Sequence, residues 1–178
     1  MGVKFEGFES VEDYFLATAK ELQNAIRNAV SASATFARKQ AVNEIVANTP
    51  LDKDLVKDSF SIRRPKQNED YSEVTASKKR IKIENYKPDI SYNKTKGTVS
   101  ADISVLRDKQ TLTGRVFSNP VNDKIRRRTT PKRFPISNVT GPSINHHFGR
   151  VLPDLIPTID DFLMKSFEEK LEKQFNKR

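Results

Sequence analysis

The sequence predicts an α+β fold: a long N-terminal helix and a C-terminal helix packed on a mainly antiparallel sheet with long basic loops. Three observations predict it. Apolar side chains recur at helical spacing over residues 10–48 and again over 158–176. Between these stretches, short runs within 60–117 alternate apolar and polar residues, as half-buried strands do. The length, 178 residues, suits a single domain over 1–178, and no internal repeat divides it.

The first helix rests on Val11, Phe15, Leu22, Ile26, Val30, Ala34, Ala37, Ala41 and Ile45, spaced by three, four and seven, with Phe36 and Val42 widening the stripe. Ser10 is the expected N-cap, with Asp13 three residues on. Thr49-Pro50 ends the helix, because Pro disfavours helical geometry in the residue before it. Such a helix exceeds the usual length of about 8–20 residues, so it bends, or lies across a sheet and against a neighbouring subunit. The run Ala29, Ser31, Ala32, Ser33, Ala34 and Ala37 is small throughout. It admits close approach of another backbone; a weakly apolar, solvated stretch is the other reading, and both stand.

Asp52 then caps a short helix from Lys53 to Asp58, with Leu51, Leu55 and Val56 inward. Phe60 and Ile62, Ile81 and Ile83, and Val99, Ala101, Ile103 and Val105 mark three strands. Lys96-Gly97 is the turn before the third, and a fourth runs from near Leu112 to Val116-Phe117. Residues 64–79 and 118–133 are polar, charged and poor in apolar residues, and are expected as loops. After Pro135, Pro142, Pro153 and Pro157 a second helix shows Ile159, Leu163, Phe167, Leu171 and Phe175 every four residues, opened by Thr158 with Asp161 three later.

The net charge is +9, and its distribution is uneven. Residues 1–62 carry −2, residues 63–133 carry +11, and residues 134–178 are balanced. Two knots hold most of the excess: Lys78, Lys79 and Arg80 with Lys82, and Lys124, Arg126, Arg127, Arg128, Lys132 and Arg133. Such density is tolerated only if it is solvated or faces a negative partner. Tyr71, Tyr86, Tyr92 and Phe117 lie in the same segment and offer stacking partners for nucleic acid, or simply sheet packing.

Catalytic patterns of weight are missing. Zero Cys excludes disulfides, thiolate zinc sites and Cys nucleophiles, and six Gly form no phosphate-binding fingerprint. His146-His147 are neighbours that point different ways, which suits packing near a turn better than one metal. Asp160-Asp161 fit the first turn of a helix, where acids offset the dipole. Glu84 and Lys87 make only a chance-level nuclease pattern. No cofactor and no enzyme activity are expected. No run approaches the roughly 18–20 apolar residues of a membrane helix, and Met1 to Glu6 lack a leader's apolar stretch, so a membrane partner is not expected.

Phe134-Pro135-Ile136, then Gly141-Pro142-Ser143-Ile144 and Phe148, resemble the minor tail protein Z family of tailed phages and prophages, which are tail completion proteins. The stretch Phe36-Ala37-Arg38-Lys39-Gln40-Ala41-Val42-Asn43-Glu44-Ile45 is similar to that family's basic-Ala helix, and Leu55-Val56-Lys57 leading to Ile62-Arg63-Arg64 to its short helix and basic strand. Thr140 departs from the aromatic expected there, the stretch from Val116-Phe117 to Phe134 is longer, and residues 64–110 match loosely. The resemblance implies a structural virion protein, made in the host cytoplasm. It would act at the tail end that meets the head, making the tail competent for joining. It also implies a homo-oligomeric ring, six subunits by analogy, whose partners are tail terminator or tube proteins and head–tail connector proteins. Lys78, Lys79, Arg80, Lys124, Arg126, Arg127, Arg128, Lys132 and Arg133 are the expected contacts to those partners or to phage DNA. Gly141, Pro142 and Ser143 are the expected turn that aims the last helix, since Gly frees one backbone position and Pro fixes the next. A nonspecific DNA-binding module of a mobile element is the alternative.

Overall fold

The computed structural model describes residues 8–66, 69–93, 98–102, 104–106, 114–118, 124–129 and 135–175. Its class is the expected one, with long helices at both ends and antiparallel sheets between them. Contacts divide the chain into two compact units built from interleaved segments: 1–37, 62–74 and 154–178 form one, and 38–61 with 75–153 the other. The division cuts across the linear order in which the elements were read from the sequence.

Helix α1 spans Phe8–Asn48, so Ser10 lies within it rather than capping it. It ends where Pro50 requires. Thr49, itself buried, turns both its N–H and its Oγ1 back onto the Ile45 carbonyl, at 2.9 and 2.7 Å. The small-residue face is used within the chain: Ala25, Ala29, Ser33, Ala34, Ala37 and Ala41 are all buried. Small side chains let neighbouring elements come close, and Phe36 stacks on Phe162 at 4.1 Å between ring centres. Helix α2 is Lys53–Asp58, with Leu51 and Val56 buried. Asp52 holds its N-cap position but makes no side-chain cap; its carboxylate instead pairs with Lys87 Nζ at 2.7 Å.

Nine strands follow among the described residues. β1 (Phe60–Arg63) pairs with β2 (Glu73–Ala76), and β3 (Arg80–Lys82) pairs antiparallel with β9 (Thr140–Ser143). A five-stranded antiparallel meander runs β4 (Asp89–Asn93), β5 (Thr98–Asp102), β6 (Gly114–Ser118), β7 (Ile125–Arg128) and β8 (Ile136–Asn138). Each stretch expected as a loop therefore holds a strand: β2 interrupts 64–79, and β7 interrupts 118–133. The sheet region also passes beyond residue 117, as far as β9. β2 is only four residues long and β7 holds three arginines in a row, so neither stands out locally; neighbouring strands supply the hydrogen bonds that hold them extended. Ile83 does not continue β3 but opens a 3-10 turn, Ile83–Tyr86, closed by Lys87 in the left-handed region at φ 49. The Lys96-Gly97 turn, Ile103 and Leu112 lie outside the described residues.

Helix α3 spans Ile144–Phe175, beginning fourteen residues before the expected start at 158. Pro153 and Pro157 sit inside it, each removing a backbone donor from the helical ladder. What holds its first turns is packing. Ile144 and His147 are buried, and Phe148 meets Phe60 edge to face at 5.3 Å. The unit boundary falls between Pro153 and Asp154.

The second unit has its core around Val56, Ile81, Ile83, Tyr86, Ile125 and Ile144, each 7% exposed or less. In the first unit, the connection after β1 is tied by Arg63, whose guanidinium pairs with Glu69 at 2.7 Å and donates to the Tyr71 hydroxyl at 2.9 Å. Those two partners, Tyr71 first, raise the Arg63 pKa above its ordinary value. Part of the positive charge of the middle segment is thus balanced locally.

Candidate functional site

Strand β7 has the sequence Ile125-Arg126-Arg127-Arg128, and its register sets what each residue does. Phe117 of β6 faces Arg126, Val116 faces Arg127, and on the other side Arg126, Arg127 and Arg128 face Asn138, Ser137 and Ile136 of β8. Paired residues in an antiparallel sheet share a face, and residues two apart along a strand do too. One face therefore carries Val116 and Ile125, both buried, with Arg127 at its exposed end. The other carries Phe117, Arg126 and Arg128. There the Arg128 guanidinium lies over the Phe117 ring, 5.7 Å from its centre, within cation–π range. Arg126 is half-buried, and its Nε is buried with no hydrogen-bond acceptor among the described residues. Among the described residues no carboxylate pairs with Arg126, Arg127 or Arg128, whereas Arg63 pairs with Glu69 and Lys87 with Asp52.

Other expected contacts are spread more widely. Lys78, Lys79 and Arg80 are all exposed, and Arg80 begins β3 opposite Ser143. Lys124 is exposed just before β7, while Lys132 and Arg133 lie outside the described residues. The two basic knots thus belong to different sheets, β3–β9 and the five-stranded meander.

Gly141, Pro142 and Ser143 form strand β9 rather than a turn, and the strand passes into α3 with no intervening residue. A packing constraint explains the sequence. A Cβ on Gly141 would lie 2.5 Å from Cε2 of the buried Tyr86 ring. The Tyr86 hydroxyl donates to the Pro142 carbonyl at 3.0 Å and also meets His147 Nε2 at 2.9 Å. A phenol has one proton, so His147 carries its own proton on Nε2 and donates it to the Tyr86 oxygen. Burial, with smaller contributions from His146 and Arg150, lowers the His147 pKa to about 4, and burial raises that of Tyr86. Ser143 Oγ accepts from the His146 N–H at 3.3 Å, satisfying one free donor of the first helical turn. His147 thus packs and hydrogen-bonds as expected, though in the first turn of a helix, and its partner, Tyr86, is 61 residues away and was not legible.

Glu84 and Lys87 are held apart by separate partners. Glu84 Oε1 accepts from the Ile125 N–H at 3.0 Å, fixing the start of β7, and Lys87 pairs with Asp52. Among the described residues no group of three or more His, Asp or Glu could hold a metal, and no helix is long and apolar enough to cross a membrane. In the first unit a cavity of about 200 Å³ is lined by Asn24, Arg27, Asn28, Ser31, Arg64 and Pro65. Its residues come from α1 and the segment after β1, a juxtaposition with no sequence signal.

The fold and the site together define an α+β protein with two long helices, in which three arginines without a carboxylate partner among the described residues stand on one short strand of an antiparallel sheet. No model of a known protein family, no curated protein and no solved structure matches the chain.

Proposed function

We propose that the chain is a noncatalytic structural component of a phage virion: a tail completion protein at the neck that makes the tail competent for head–tail joining. In this reading it works as a homo-oligomeric ring, six subunits by analogy with the minor tail protein Z family. It would sit between tail terminator or tube proteins and head–tail connector proteins. The resemblance of the Gly-Pro-Ser block and of the two helical blocks supports the reading. The observation that carries it is strand β7, where three successive arginines lack carboxylate partners among the described residues. Two well-packed units with little net charge in the flanking helices make a scaffold, and β7 presents the uncompensated charge to a negative neighbour.

Reversing that charge tests the proposal. Arg126→Glu with Arg127→Glu and Arg128→Glu is expected to abolish head–tail joining while the circular dichroism spectrum of the subunit stays that of the parent. Normal yields of infectious particles from the triple variant would overturn it.

A further inference from the structure

We infer that the Phe117–Arg126–Arg128 face of the β6–β7 pair binds single-stranded nucleic acid without sequence preference. The inference goes beyond the neck reading and does not depend on it, because it concerns the chemistry of one sheet face.

Three features converge there. Arg126 and Arg128 lie two residues apart on one strand, so their Cα atoms are about 7 Å apart along it and both side chains leave the same face. Phe117, paired with Arg126 across the ladder, places an aromatic ring on the same face, with the Arg128 guanidinium over it at 5.7 Å. Arg126 is half-buried and has no carboxylate partner among the described residues, which leaves its charge to be met by an oxygen supplied from outside the chain. Aromatic rings that stack bases, flanked by cations that take phosphates, are the combination that holds single strands regardless of sequence. An acidic protein surface would satisfy the guanidiniums but give the ring nothing to stack on. A duplex would offer phosphates while keeping its base faces covered. The ring therefore selects the single strand.

Fluorescence anisotropy of the full chain with labelled oligo-dT, the matching duplex and polyglutamate as competitor tests this across salt. The parent is expected to bind oligo-dT more tightly than duplex, and polyglutamate to compete poorly. Arg126→Gln with Arg128→Gln is expected to flatten the log–log salt dependence by about 1.4, the loss of two phosphate contacts on a single strand. Phe117→Leu is expected to weaken oligo-dT about tenfold while leaving the salt slope unchanged. Should Phe117→Leu fail to fold, as judged by circular dichroism, Arg128→Lys keeps the charge, removes the planar stack and is expected to weaken oligo-dT alone. No binding at about 50 mM salt, or a slope untouched by the double variant, would overturn the inference. Duplex or polyglutamate binding as tight as oligo-dT would also overturn it, and polyglutamate binding would leave an acidic protein partner at the neck intact.

Discussion

Gly141 and Tyr86 show how closely single residues are constrained. The Tyr86 ring lies against Gly141 of β9, and a buried ring has nowhere to move when a methyl group is added 2.5 Å from its edge. Gly141→Ala is expected to destabilise the protein by about 1–3 kcal/mol, read from its urea midpoint. Combining it with Tyr86→Leu should cost less than the two changes separately, because the smaller side chain gives the methyl group room. An additive result would show that Gly141 is needed for some reason other than this contact. The Gly-Pro-Ser block was visible in the sequence, but Gly and Pro chemistry pointed to a turn where the structure has strand β9. The partner that makes glycine necessary was not visible, since nothing local links residue 141 to residue 86.

At the scale of elements, legibility followed length and composition. Helix α1 was read nearly to its ends because 41 residues repeat one pattern and Pro50 supplies a stop. The second half of α3 was equally clear. Its first half was hidden by Pro153 and Pro157, each of which costs about 3 kcal/mol in an isolated helix interior. Burial of Ile144 and His147 overrides that local preference. Strands β7, β8 and β9 had no readable period, and the alternation in β2 (Glu-Val-Thr-Ala) and β4 (Asp-Ile-Ser-Tyr-Asn) covers too few residues to stand out. Gly149 offers a direct check on the extended helix. It is exposed within α3, and a Cβ there would touch nothing within 4 Å. Gly149→Ala is expected to stabilise the protein by about 0.5–1 kcal/mol in urea denaturation. A loss of stability instead would mean that residue 149 is not in a helix.

The whole molecule reports on its buried histidine through pH. His147 titrates near 4 in the folded chain against an ordinary value of 6.5. Between these values the unfolded chain binds the extra proton, so the folded state is favoured as pH rises through the interval. The contribution is complete above about 6.5 and is lost as pH falls toward 4. The urea midpoint of the parent is expected to drop over that range by more than that of His147→Gln, which keeps a donor toward Tyr86 but does not titrate. Equal slopes would show that His147 is not buried in its neutral form. Carboxylates elsewhere titrate in both proteins and cancel in the comparison.

By itself, the sequence determined the α+β class, the long helix, the second half of the C-terminal helix and the confinement of positive charge to the middle of the chain. Each of these is written in local spacing or composition, which a linear reading can follow. Tertiary structure alone decided that the small face of α1 is buried within the chain, and that the basic run 125–128 is a strand. It also decided that Phe117 lies beside Arg126 and Arg128, and that the two compact units are made of interleaved segments. Those outcomes depend on hydrogen bonds and packing between residues far apart in sequence. A short charged segment carries too little preference of its own to choose between loop and strand, so its neighbours choose for it.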